Sequence, residues 1–328
     1  MPSRRAVVKA GVAGALGLIA PRLARAAPKI RIGVLRFGSF SWALDVVRRH
    51  GFDTEAGVAL DIRQYAGSPA AQVALQAGEV DIILQDWLWV ARQRTGGADW
   101  SFVPFSSALG ALILPAGSPV QALADLSGRR LGVAGSALDK SWIILRAYAE
   151  RHDHLDLARR LEPSFGAPAL LAEELRRGRL DAALTFWPFA ARAEASGMRT
   201  LMTMKTAVAG LGIAPDVPFV GYVFRAPWAR AERQGLAGFL ACMSKAQDLL
   251  ASSDAEWETL APLAQAANAA ELAHLRDAYR AGIPRLSPEA TAAAAATLFA
   301  VLAETGGPAL VGEAKTLAPG TFWQTGLS

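Results

Sequence analysis

The residues able to do chemistry gather where apolar runs end. Gln85-Asp86-Trp87 and Trp187-Pro188-Phe189 each close such a run, Ser39, Phe40 and Trp42 follow a glycine-containing loop, and Ser136 and Asp139 precede the helix-like stretch Trp142 to Ala149. Ser136 fits an N-cap with Asp139 three residues on, and a capped helix start turns backbone N–H groups towards an anion or polar ligand. Nothing here resembles a catalytic signature, for no Walker loop, HExxH or GxSxG occurs. His152-Asp153-His154 is the one dense set of metal-type side chains, and two histidines beyond a helix end, without further spaced ligands, read as a solvated connector. No metal and no cofactor is expected.

The elements that must position these residues alternate. Lys29 to Leu35 reads as a first strand, Trp42 to Arg49 as a helix, Val58 to Tyr65 as a second strand, and Ser68-Pro69 opens a helix that Gly78 stops. Glu79 to Leu84 is a third strand, apolar enough for the inside of a parallel sheet. This grammar predicts a doubly wound α/β layer whose ligands lie beyond the carboxyl ends of the strands.

Pro115 to Pro119 reads as a domain edge, and a second round follows: a short helix at Val120 to Leu126, a strand at Leu131 to Ala134, helices at Leu155 to Leu161 and Ala169 to Arg177, and a strand at Arg179 to Phe186. Phe165 to Pro168 is expected to be a turn. QAGEVDIILQDW and RRGRLDAALTFW follow one plan of helix end, glycine, aspartate, strand and tryptophan. A β-rich Phe219 to Phe224 then gives way to helices at Trp228 to Leu250, Ala255 to Ala267, Ala270 to Arg280 and Pro288 to Glu304.

The formal charge of +5 is localised. Setting aside Arg4, Arg5, Lys9, Arg22 and Arg25 leaves as many basic as acidic residues, so there is no electrostatic case for nucleic acid or an anionic membrane. Residues 1–26 read as an export signal, with Arg4-Arg5 resembling a twin-arginine motif, and imply a periplasmic location. No later run is expected to span a membrane. Cys242, the only cysteine, is expected to be a buried small hydrophobe.

IRIGVLRFG near the start, the helix-to-strand grammar of Ala70 to Ile82, GSPVQALADLSGRRLGVAGS at Gly117 to Ser136 and RRGRLDAALTFWPF at Arg176 to Phe189 resemble the solute-binding proteins of bacterial ABC importers that bind alkanesulfonates, taurine, nitrate or thiamine precursors. The resemblance implies an α/β, two-lobed type II periplasmic-binding-protein fold, each lobe a doubly wound sheet flanked by helices, with a cleft between lobes. Lobe one would comprise residues 28–112 plus 223–328 and lobe two 113–222, with crossings near Ala108 to Pro115 and Phe219 to Phe224.

By the same resemblance the cleft would draw on Ser39, Phe40, Trp42, Ser68, Asp86, Trp87, Ser136, Asp139, Trp187 and Tyr222. It also implies a monomer that closes on a small solute and delivers it to an inner-membrane permease with a cytoplasmic ATPase. Trp187 stands where the family often has an acidic residue. With Trp42, Trp87 and Trp142 near the same loops, and with Asp86 and Asp139, it favours a flat heterocycle or an apolar-tailed solute over a bare oxyanion. Two other readings are a pyrimidine-forming enzyme of this fold and a periplasmic accessory that docks on a redox enzyme.

Overall fold

The computed structural model describes residues 27–35 and 38–324; the export-signal reading of residues 1–26 and the loop residues Arg36 and Phe37 lie outside them. The chain first lays down β1 (Lys29–Leu35), α1 (Ser39–His50), α2 (Phe52–Glu55), β2 (Ala59–Tyr65), α3 (Ser68–Ala77), β3 (Ile82–Asp86), α4 (Trp87–Thr95) and β4 (Trp100–Ser106). A second set follows: β5 (Gly110–Leu114), a 3-10 turn at Leu123–Leu126, β6 (Arg130–Ala134), α5 (Lys140–Asp153), α6 (Leu157–Arg160), β7 (Glu162–Gly166), α7 (Pro168–Arg176), β8 (Ala182–Phe186), α8 (Trp187–Ala195), β9 (Arg199–Thr203) and α9 (Met204–Gly210). The chain then returns through β10 (Val220–Arg225) into α10 (Ala226–Ala231), α11 (Arg233–Ser252), α12 (Asp254–Ala264), α13 (Ala269–Ala281) and α14 (Pro288–Val311).

Two five-stranded sheets result, in the orders β2-β1-β3-β10-β4 and β7-β6-β8-β5-β9. In each, one strand runs against its neighbours: β10 lies antiparallel to β3 and β4, and β5 antiparallel to β8 and β9. These are the strands on which the chain enters each sheet from the other. The passages run between Ser106 and Gly110 and between Gly210 and Val220, a few residues ahead of the expected positions.

Of the four strands that the sequence reading did not name, β5 is interior and the other three are edges. β7 replaces the expected turn and contains Pro163, β4 contains Pro104, and β9 is the far edge of the second sheet. Proline argues against a central strand and is tolerated at an edge, where its missing N–H leaves no ladder bond unmade. The expected helix at Val120 to Leu126 shrinks to the 3-10 turn.

An apolar core cluster joins both sheets, running from Phe102 and Val223 in the first to Leu112 and Val133 in the second, with Leu298 and Phe299 of α14. Further clusters cover the outer faces, one around Ile30, Phe239 and Trp257 and one around Ile113, Leu171 and Ala183. The C-terminal helices divide their contacts: α11 and α12 pack on α1, α13 on α8, and α14 on both α5 and α4.

α14 has the length and apolar composition of a membrane span, contrary to the expectation that no later run does. It packs an alanine- and leucine-rich face into the core and is broken at Gly307 (φ 65°, ψ −169°). Cys242 is fully buried, and burial pushes its thiol up to about 12.

Candidate functional site

A cavity of about 380 Å³ lies between the carboxyl ends of the strands of the two sheets. Its first-sheet wall is the start of α1 (Ser39, Phe40, Ser41), Ser68 at the start of α3, and Leu84, Gln85 and Asp86 at the end of β3. The second-sheet wall is Asp139, Lys140 and Ser141 at the start of α5 and Phe186, Trp187 and Pro188 at the β8–α8 junction. Phe105, Ser106 and Leu109 from one passage and Phe219 and Val220 from the other close the sides.

One ion pair spans the cavity. Lys140 Nζ lies 3.2 Å from Asp86 Oδ2, joining residues 54 positions apart that belong to opposite walls. Asp86 caps α4 as well, its Oδ1 accepting from Trp89 N at 2.8 Å. Asp139 caps α5, accepting from Ser141 N at 2.9 Å and Trp142 N at 3.4 Å. Burial disfavours the Lys140 ammonium, but Asp86 and Asp139 more than offset that cost, so its pKa stays above the ordinary lysine value. Burial raises the Asp139 carboxyl, against the opposing pull of Lys140 and the two helix N–H groups.

The remaining helix starts differ. α1, α3 and α8 have no side-chain cap, and the hydroxyls of Ser39 and Ser68 make no hydrogen bond to a described residue, whereas Ser41 Oγ donates to Leu35 O at 3.0 Å. The cavity therefore offers a mixed charged edge on one side, free hydroxyls and N–H groups on another, and flat aromatic surface between them. Such a surface suits a small planar solute with both donor and acceptor atoms.

Of the ten residues expected in the cleft, Ser39, Phe40, Ser68, Asp86, Asp139 and Trp187 line the cavity, and Trp42, Trp87, Ser136 and Tyr222 do not. Trp87 is fully buried and its indole N–H donates to Pro218 O at 2.7 Å, because Asp86 takes the cavity side and the next side chain turns into the core. Trp42 is packed edge-on against Trp187 and Trp257, each at 5.8 Å. Tyr222 sits behind Phe40 and Phe105. Ser136 is exposed one turn too early: its Oγ accepts from Leu138 N at 3.2 Å, and the cap of α5 is Asp139. Trp142 is buried as well, against Phe165.

The sequence reading missed one charged lining residue, Lys140, and the aromatic walls Phe105, Phe186 and Phe219. A signal was present, since a lysine in the first turn of a helix meets the positive end of its dipole and needs a compensating carboxylate. The histidine pair holds no metal-type cluster either. His152 stacks on Tyr148 at 4.6 Å with Nε2 2.5 Å from Gly210 O, and no group of three or more His, Cys, Asp or Glu side chains suited to a metal occurs among the described residues.

A family described as NMT1/THI5 like matches residues 46–254, and the chain belongs to that family. The structure resembles the periplasmic aliphatic sulphonate binding protein SsuA of Escherichia coli with a TM-score of 0.71 and 21% identity, over 90% of this chain and 92% of that one. It also resembles the alkanesulfonate-binding protein SsuA of Xanthomonas axonopodis pv. citri bound to MOPS, at 0.67 and 19%, over 92% and 99%. The periplasmic nitrate-binding protein NrtA of Synechocystis PCC 6803 is more distant, at 0.52 and 13%, over 72% and 66%. The fold is thus that of the periplasmic binding proteins. No curated protein sequence matches the chain.

Proposed function

We propose that this protein is the periplasmic solute-binding component of an ABC importer, capturing one small organic solute between two lobes that close on it. The expected bounds at 112/113 and 222/223 would cut β5 and β10, so the proposed lobes part within the two passages instead, the first carrying β1 to β4 with β10 and the second β5 to β9. The observation that carries this reading is the cavity between the two sheets, walled by Phe40, Phe105, Phe186 and Trp187 and bridged by the Lys140–Asp86 pair. Closure brings the two walls together around a ligand, and the closed form docks on a membrane permease. Because α13 and α14 also touch helices of the second sheet, closure has to slide those contacts.

Two carboxylates against one ammonium give the lining a net negative charge, which works against a bare oxyanion. Asp86 beside Lys140 presents an acceptor next to a donor, complementary to the amino and ring nitrogens of an aminopyrimidine-type heterocycle, with the aromatic walls taking its faces. A zwitterionic sulfonate is the other solute this edge accommodates.

Thermal unfolding against aminopyrimidines, taurine, alkanesulfonates and nitrate tests the proposal. An aminopyrimidine or an aminosulfonate should raise the melting temperature more than nitrate or an unsubstituted alkanesulfonate. If no compound shifts it at a concentration far above a micromolar Kd, solute capture is not the task of this cavity.

A further inference from the structure

Behind the aromatic wall lie two tyrosines whose hydroxyls have nothing to bond. Tyr222 in β10 is 3% exposed and Tyr279 in the last turn of α13 is 5% exposed, and neither hydroxyl has a hydrogen-bond partner among the described residues. The Tyr222 ring lies 5.5 Å from both Phe40 and Phe105, and the Tyr279 ring 6.5 Å from Phe105 and 6.4 Å from Trp187. Phe40, Phe105 and Trp187 are rings that line the cavity on their other side.

Gln247 of α11 reaches the same place. Its amide nitrogen donates to Phe105 O at 2.9 Å, and its side chain lies near enough to Tyr279 to lower that phenol's pKa without completing a well-formed bond to the hydroxyl. Burial outweighs this and raises both phenols, and each tyrosine is within electrostatic reach of the other side chain or of Gln247. The group is therefore uncharged at neutral pH.

Burying a hydroxyl without a partner is unfavourable, and phenylalanine would fill the same space without that cost. Two such hydroxyls next to an amide, one ring thickness from a solute cavity, call for a partner that arrives from it. We propose that Tyr222, Tyr279 and Gln247 form an inner polar subsite of the cavity, opened when the Phe40 ring turns aside, and that it takes a neutral hydrogen-bonding substituent of the solute such as a hydroxymethyl or carboxamide group. Phe40 is the movable wall because it stands in the first turn of α1, beside Gly38 at φ 142° and without a side-chain cap, whereas Phe105, at the bulge of β4, has its carbonyl held by Gln247. The inference rests on the proposed solute-binding role of the cavity.

Calorimetric titration of 4-amino-5-hydroxymethylpyrimidine and 4-amino-5-methylpyrimidine into wild type, Tyr222→Phe and Tyr279→Phe tests the subsite. The hydroxymethyl compound should bind wild type at least about tenfold more tightly, and either substitution should cut the preference to within about twofold while affinity for the methyl compound holds. A preference unchanged in both variants, as expected if the hydroxyls bond only a trapped water, overturns the subsite.

A ligand-free arm separates this outcome from failure of the parent reading. Spectrophotometric titration of Phe40→Ala should show one of the four tyrosines, Tyr222, ionising at lower pH than in wild type. An unchanged titration overturns the gate and the subsite whether or not either pyrimidine binds. If neither pyrimidine binds yet the titration shifts, access to Tyr222 past Phe40 stands, and the heterocyclic ligand class falls together with the hydroxymethyl assignment.

Discussion

Gly78 to Trp87 and Gly178 to Trp187 occupy the same place in the two sheets and do different work. In both, a glycine with positive φ (74° and 71°) ends a helix, and that left-handed turn is one that other residues adopt only with strain. In both, an aspartate three residues later is clasped by an arginine near the start of the neighbouring parallel strand, β1 or β6. Arg31 N and Nε lie 2.9 and 3.0 Å from Asp81 Oδ2, and Arg31 also donates to Gly78 O at 2.8 Å. Arg130 N and Nε lie 2.9 and 3.0 Å from Asp181 Oδ2, with a bond to Gly178 O at 3.0 Å.

At the far end of the strands the likeness stops. The first delivers Asp86, a charged helix cap, to the cavity and buries Trp87; the second delivers uncapped Phe186 and turns Trp187 to the cavity side. One backbone device thus presents charge from one wall and aromatic surface from the other.

Exchanging each tryptophan for alanine should break the comparison most visibly. Trp87→Ala empties a fully buried site and should cost about 3–5 kcal/mol in urea unfolding while leaving the affinity of a bound aminopyrimidine within about twofold. Trp187→Ala should cost less stability and weaken that affinity at least about tenfold, since the lost ring faces the ligand. Equal effects of the two substitutions on affinity would remove the distinction.

The clasps come next. Asp81 is buried and Asp181 half-exposed, so Asp81→Ala should cost about 2–3 kcal/mol and Asp181→Ala clearly less. The hydrogen bonds from Arg130 hold the Asp181 carboxyl below the usual aspartate range, against the opposing effect of burial. A depressed folded pKa means that this contribution is complete above about pH 4 and is lost as the pH falls through the folded value. Urea unfolding of Asp181→Asn between about pH 2 and 5 should accordingly show a flatter acid limb than wild type.

Asp86→Asn tests the pair that spans the cavity. Asparagine caps a helix about as well as aspartate, so the stability cost, about 1–2 kcal/mol in urea unfolding, comes from leaving the Lys140 ammonium with Asp139 alone to offset its burial. Thermal shifts should then move in favour of alkanesulfonates over aminopyrimidines; no change in that ranking would mean that the pair does not set ligand charge.

The alternation of helix and strand and the repeated glycine, aspartate and tryptophan were legible because each depends on local periodicity and on strand ends; the ten cleft residues came from the family resemblance, and six of them line the cavity. The edge strands β4 and β7 were not legible, since Pro104 and Pro163 are read as breaks by any local rule and are accommodated because each strand lies at the edge of its sheet.

Sequence alone determined that two copies of one strand grammar would place polar and aromatic residues at the carboxyl ends of two sheets. Which side of the junction each tryptophan faces, that Lys140 meets Asp86 across 54 residues, and that Tyr222 ends up behind Phe40 were decided by tertiary structure. Those outcomes depend on how the two chain passages set one sheet against the other, and distance along the chain carries no record of that placement.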